Sequence, residues 1–324
     1  MNGYRGVFLL CCAGLCAGLA STGAGCQWIA RPPTQQWLGP AVLPPSATLE
    51  QVIAAVNRNS TQIQAFYTNQ ATLSGPHFPT LRASVAFQRP RSFRLRGDTA
   101  FTGPELDLGS NQELFWMWVR RSQPPALYYC RHDQFAHSAA RQMIPIEPAW
   151  LIEALGIAEF DPALPHQGPY RTANGQLQVR TIRETPEGLT TKITVVDSQR
   201  ALVLGQFIYD HQGRLRASAV ASQHRRDPLS GLVVPRVVDV SCPAAQFTMR
   251  IDLGNVTVNQ LPADAAVLFS LPSYEGWQLV DLADPNAPLP EMQPVNPRQY
   301  LPQRPASSSL RARPVPPGWG RVVR

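Results

Sequence analysis

Cys26 is the residue of this 324-residue chain whose surroundings prescribe a definite chemistry. Ahead of it stand Arg5, an apolar run from Val7 to Ala20, and the small residues Ser21, Thr22, Gly23, Ala24 and Gly25. A charged start, an apolar stretch and a small-residue exit make residues 1–25 an export signal, and the run is too short to span a bilayer comfortably. If acylated, a cysteine left at such an exit would anchor the chain. At about 0.8 kcal/mol per buried methylene, two acyl chains hold a protein stably on a membrane without crossing it. Cleavage with no lipid added is the other reading of the same residues.

The arrangement around Cys26 resembles the bacterial lipobox, with Gly23 where that motif usually has Leu. Cys11, Cys12 and Cys16 leave with the signal, so Cys130 and Cys242 are the body's cysteines. An exported compartment permits a disulfide between them; otherwise they are small buried hydrophobes. The rest of the chain offers little chemistry. It has no Gly-x-Ser-x-Gly elbow, no His-Glu-x-x-His and no phosphate-binding glycine loop. His132 and His137 near Cys130 fall short of four spaced metal ligands and read as loop histidines, and Asp107, Glu113 and Glu147 read as surface charges. No enzyme, cofactor or metal is implied.

Net charge is +7, but from residue 284 onward six arginines face only Asp284 and Glu291, and Arg5 belongs to the signal. The body therefore carries little excess charge and needs no nucleic acid. Lys192 is the sole lysine, which reads as codon usage rather than chemistry.

Several elements can be placed by pattern. Residues 26–46, with Pro32, Pro33, Pro40, Pro44 and Pro45, suit an extended tether behind the acylated cysteine. Thr48 and Gln51 form a capping box, and Leu49, Val52, Ile53, Val56 and Ile63 fall on one helical face, which predicts a helix of about four turns. Alternation of period two then predicts strands over 68–74, 81–88, 92–96, 113–119 and 126–130. Pro148 and Gly156 bracket a short helix, and strands resume over 177–183, 189–196, 202–209, 214–222, 233–241 and 247–258. Many meandering strands with one helix before them and one among them predict an α+β fold, a strongly curved antiparallel sheet carrying helices on one face. That domain covers 47–283. Residues 284–324, with ten prolines in 41 residues, cannot bury enough apolar surface to fold.

The order of short motifs resembles the outer-membrane lipoprotein carrier and receptor (Lol-type, lipoprotein-sorting) superfamily over about residues 48–272. Ala65-Phe66 follows the first helix; Arg89-Pro90 ends a strand with Phe93 three residues on; Ser110-Asn111-Gln112 leads to Phe115-Trp116-Met117-Trp118; Gly213-Arg214-Leu215 opens a late strand; Phe269-Ser270-Leu271-Pro272 closes the domain. The chain departs from the family at Asn111-Gln112, in a long stretch near 132–172, and in its tail. The resemblance implies an incomplete β-barrel covered by helices. It also implies that Val85, Phe87, Trp116, Trp118, Phe207, Leu215, Met249 and Ile251, all at alternating positions, line a cavity for acyl chains. By pattern alone the same residues are an ordinary core. In the carrier the residue matching Arg89 bonds backbone carbonyls of the helical lid; an exposed strand-end arginine is the alternative.

These readings predict a monomeric, non-enzymatic, membrane-anchored bacterial lipoprotein of the cell envelope that binds lipid or an acylated protein, for transport or sensing. Gln27 after Cys26 leans toward the outer membrane, facing the periplasm. The alternative is an envelope scaffold whose Pro/Arg tail binds an acidic polymer or protein. Acylation has a direct test: Cys26→Ser should move the protein from the membrane to the soluble envelope fraction, and retention after a high-salt wash would place the anchor elsewhere.

Overall fold

A computed structural model of the protein describes residues 38–76, 78–138, 141, 149–185, 188–289 and 291–292. The signal, Cys26, His77, Glu147, Pro148 and the chain after 292 lie outside these residues.

Helix α1 (Leu49–Ser60) begins at a full capping box. The Thr48 hydroxyl accepts from the Gln51 N–H, and Gln51 Oε1 accepts from the Thr48 N–H. Val52, Ala55 and Val56 form its buried stripe. The helix is shorter than its apolar spacing predicts, because Thr61 caps it and Ile63 is buried in the extended chain beyond.

The strands of the first half are β1 (Ala65–Gly75), β2 (Phe78–Gln88), β3 (Ser92–Thr99), β4 (Gly103–Ser110), β5 (Leu114–Val119), β6 (Ser122–Gln123) and β7 (Ala126–Arg131). A short helix, Ala149–Ile152, runs into a π-type turn, Glu153–Ile157. Then come β8 (His166–Arg171), β9 (Leu177–Thr185), β10 (Gly188–Val196), β11 (Val203–Tyr209), β12 (Leu215–Ser222), β13 (Arg225–Arg226), β14 (Val233–Val234), β15 (Val237–Cys242), β16 (Phe247–Asp252), β17 (Thr257–Val258), β18 (Gln278–Asp281) and β19 (Glu291–Met292).

Fifteen of them form one sheet in the order β18-β7-β5-β4-β3-β2-β1-β16-β15-β12-β11-β10-β9-β8, with β17 beside β1. Its pairs are antiparallel except β18 with β7. The ends, β18 and β8, do not meet, so the α+β fold is an open, curved sheet rather than a closed barrel. Register shifts in β1 and at the β11–β12 pair add local bends to the ordinary strand twist.

Strands β4, β8 and β18 are not expected from pattern. Pro104 and Gly109 obscure the first, Gly168 and Pro169 the second, and the third pairs with a strand far earlier in the chain. The predicted strands 233–241 and 247–258 are each split, at Pro235 and at Gly254. Both expected domain edges also move. Val42 and Leu43 donate to the Gln199 carbonyl, and Leu43 is buried beside α1, so the tether is already packed before residue 47. At the other end Leu282 and Leu289 pack together, and β19 pairs with β6, so the folded body extends past 283 to Met292.

Register decides which side chains share a face. Phe66, Phe87 and Phe93 lie opposite one another across β1, β2 and β3, and Val85 lies opposite Leu95. With Met249, Ile251 and Val240 they form the concave core against Trp150 and Leu155 of the short helix. Trp116 and Trp118 occupy the other face, opposite Gly109 and Asp107. There the chain returns over them, with Tyr274 stacked on Trp118 at 4.2 Å and Trp277 edge-on at 5.1 Å. A Cβ on Gly109 would stand 2.0 Å from the Trp116 ring, so the indole needs that bare strand.

Asp107, fully buried, holds this outer layer together rather than standing at the surface. It accepts from Arg94 Nη2 at 2.6 Å and Nε at 3.0 Å, and from the Tyr274 hydroxyl at 2.5 Å. Burial first, and then the Asp107 carboxylate, push the Tyr274 pKa up, which keeps its proton in place for that bond. Arg94 Nη1 also donates to the Leu268 carbonyl, tying the returning segment to β3. Removing one partner of a buried pair strands the other, so Asp107→Ala should cost about 3–5 kcal/mol. Calorimetry should show a melting temperature lower by roughly 10 °C; an unchanged value would mean that this cluster clamps nothing.

Candidate functional site

The concave face changes character along β9 and β10. At one end Leu177, Val179 and Val196 pack against α1. At the other, Thr181, Arg183, Thr190 and Lys192 face a cleft of about 300 Å³ whose opposite wall is Trp150 and Glu153 of the short helix. Ile208 adds an apolar patch, while Arg141, Arg214, Arg216 and Asp210 surround the mouth. The site is thus a half-apolar, half-basic opening beneath a helix. A shallower groove of about 560 Å³ lies on the outer face, lined in part by Ile193 and Tyr209.

Four polar ties hold the covering segment 149–160 in place. Lys192 Nζ donates to Glu153 Oε2 at 2.6 Å, and Gln206 Nε2 to the Glu153 carbonyl at 2.7 Å. Asn57 of α1 makes a reciprocal pair with the Phe160 backbone, both bonds at 2.9 Å. Arg89 supplies the fourth tie: Nε donates to the Ile63 carbonyl, Nη2 to the Ser60 carbonyl and Nη1 to Glu159 Oε2, at 3.0, 2.7 and 2.9 Å. Its guanidinium therefore bonds carbonyls at and just beyond the end of α1 and reaches the segment that follows the short helix. The short helix ends at Gly156, which has a φ of +85°; a Cβ there would stand 2.6 Å from the Pro235 ring, so only glycine fits.

The eight residues predicted to line one cavity divide between two faces. Val85, Phe87, Met249 and Ile251 are concave and buried. Trp116 and Trp118 lie under the returning chain on the outer face. Phe207 pairs with Ile193 and Ser218, whereas its concave neighbours Gln206 and Ile208 pair with Ala219 and Ala217. Leu215 pairs with Tyr209 past a register shift and shares the outer side with it. Alternation identifies these strands, but the parity between strands depends on bulges it does not reveal.

Cys130 and Cys242 are free thiols, not a disulfide. Six strands separate β7 from β15, and the two belong to different clusters. Burial pushes both thiols up, as suits small hydrophobes. Burial holds His132 below its ordinary pKa, and its Nε2 bonds the Asn111 carbonyl at 3.0 Å. No group of three or more metal-ligating side chains occurs among the described residues. The roles of Lys192, Glu153, Gln206, Asn57 and Glu159 are not visible in the local pattern. The one available signal is a lone lysine among β-branched residues at an inward position, and its partner lies 39 residues away.

Neither a protein-family model nor a curated protein matches the chain. Among solved structures the chain is similar to a LolA superfamily protein from Nitrosomonas europaea, at 11% identity over 69% of this chain and 98% of that one, with a TM-score of 0.44. It is similar also to an outer membrane lipoprotein-sorting protein domain from Vibrio parahaemolyticus, at 9% identity over 69% and 100%, TM-score 0.45. A DUF1329 family protein from Desulfovibrio piger follows, at 13% identity over 66% and 95%, TM-score 0.43.

The Arg89 tie has a measurable weight. Arg89→Ala should lower stability by about 1–3 kcal/mol, the scale of charge-assisted bonds to carbonyls and carboxylate. It should also speed amide exchange in 149–160 more than in β2 itself; uniform exchange would show that Arg89 does not fasten the covering segment.

Proposed function

We propose that the protein is a non-enzymatic, membrane-anchored envelope lipoprotein that takes up an acyl lipid, or the acyl chains of another lipoprotein, on the concave face of its open sheet. One observation carries this reading: the apolar concave core runs to an open cleft beneath a short helix that lays Trp150, Leu155 and Ile157 on that core and is tied at its edge by Lys192 and Arg89. Displacing that helix would bare a face on which an acyl chain could replace the side chains of Trp150, Leu155 and Ile157, with apolar surface exchanged for apolar surface. The export signal, the Cys26 anchor and a place in the cell envelope belong to the same reading, since they suit a protein that meets lipid at a membrane surface.

The test is native mass spectrometry of the purified chain, followed by organic extraction. Acyl lipid should co-purify. Ile208→Glu, which places a carboxylate on the concave side of the cleft, should reduce it severalfold because that charge must be desolvated against the chain. Phe207→Glu, on the outer face, should leave it unchanged. An acyl-free, stably folded domain would sink the proposal in favour of an envelope scaffold with a filled core.

A further inference from the structure

The cleft mouth collects more positive charge than the rest of the concave face. Among the described residues Arg141, Arg183, Lys192, Arg214 and Arg216 surround it, with the carboxylates Glu153 and Asp210, in a body whose overall charge is close to balanced. The two carboxylates engage Lys192 and Arg214, and Arg141 and Arg183 have interactions of their own. Glu153 takes Lys192 at 2.6 Å; Asp210 takes Arg214 at 2.9 Å while also accepting the Gln212 and Arg214 backbone N–H groups of its own hairpin. Arg216 has only a long contact to Asp210, at 4.0 Å.

Arg216 reaches the mouth because of the sheet's register. Ile208 pairs with Ala217 and Tyr209 with Leu215, so Arg216 is the extra residue of a bulge. Without it, strict alternation would turn Arg216 to the outer face, away from the cleft; bulges re-aim side chains in this way beside functional sites. The interior of the same wall is under-satisfied. Trp150, which lines the cleft, has a buried indole N–H without an acceptor. A cationic rim, a bulge that adds one more cation, and an unmet donor behind it form a site that wants acceptor oxygens.

We infer that this mouth binds a phosphate-class oxyanion, the headgroup of the amphiphile whose chain occupies the concave face, and that the anion takes Lys192 from Glu153. The headgroup assignment rests on the acyl-binding reading; the anion site stands on the cleft alone. Guanidinium forks and an ammonium suit phosphate oxygens. The exchange also couples recognition to opening, because Glu153 is a residue of the covering segment and loses its cation when the anion arrives. Lipid phosphate and free inorganic phosphate share this chemistry and are separated by the test.

The only lysine in the chain makes the test direct. Acetylation of Lys192 by an N-hydroxysuccinimide ester can be followed by peptide mass spectrometry on the full chain, with added dihexanoyl phosphatidate, inorganic phosphate, or neutral octyl glucoside. Dihexanoyl phosphatidate should slow acetylation about tenfold or more, inorganic phosphate should do so only at far higher concentration, and octyl glucoside should have little effect. Arg216→Gln, at a partly exposed position, should fold normally and weaken protection by dihexanoyl phosphatidate several-fold. Glu153→Gln should speed acetylation of the ligand-free protein and tighten dihexanoyl phosphatidate binding, since the competing carboxylate is gone.

Equal protection by octyl glucoside, no protection by either anion, or weaker phosphatidate binding in Glu153→Gln would overturn the inference. If acyl lipid co-purifies while Lys192 remains indifferent to anions, only the anion site fails. Protection by inorganic phosphate with no acyl lipid bound at all would uphold the anion site and sink the acyl-binding reading instead.

Discussion

Everything in this fold answers to one constraint: a single open sheet has two faces, and a chain of this length has few helices with which to cover them. Most apolar side chains of β1, β2, β3, β15 and β16 point to the concave side, and among the described residues the short stretch 149–157 packs on them, while α1 covers the neighbouring patch of β9 to β11. Burial of Trp150, Leu155 and Ile157 is one part of what holds this cover. The cover is also fixed by bonds that begin far away in sequence, from Arg89 at the end of β2, Asn57 on α1, and Lys192 and Gln206 on β10 and β11. Each replaces a helix–sheet contact that a longer helix would supply through packing.

The outer face is treated differently at its two ends. Over β4 and β5 the chain comes back after β17 and lays Leu271, Tyr274 and Trp277 on Trp116 and Trp118, with Asp107 and Arg94 as the polar centre of the layer. A buried ion pair adds little net stability over an apolar replacement, but it penalises any register that leaves one partner alone. It therefore favours one seat for the returning segment. Over β9 to β12 no such layer appears among the described residues, and Leu189 and Val220 are exposed. The covered half is a rigid wall; the bare half is the one that carries the cleft.

What can be read from sequence follows the range of the interactions involved. The capping box of α1, the turn-bounded strands and the short helix ending at Gly156 are set by neighbours a few residues apart, and they stand where the pattern places them. Whether a side chain faces in or out depends on parity carried across turns and bulges. Trp116 and Val85 alternate equally well, yet lie on opposite faces; the bulge in β12 sends Leu215 outward and Arg216 inward. Asp107 resembles a surface charge in sequence because its partners sit on another strand and on a segment 167 residues later. Lys192 resembles an accident of composition for the same reason.

If the proposed uptake occurs, polar ties rather than apolar contacts decide its balance at the cleft. An acyl chain entering beneath the short helix would trade one set of hydrocarbon contacts for another, so the area term, at about 25 cal/mol per Å², nearly cancels between the covered and the loaded forms. The terms that do not cancel are Lys192 with Glu153, Gln206 with the Glu153 carbonyl, Asn57 with the Phe160 backbone, and Arg89 with Glu159. Each is a partly exposed or mixed contact of modest strength, and two of the four converge on the single residue Glu153. A ligand that supplies oxygens to Lys192 offsets one of them directly, whereas a purely apolar ligand must break it without replacement. On the proposed reading a sheet of this shape would accept many hydrocarbons, and the charge at its mouth would distinguish among them.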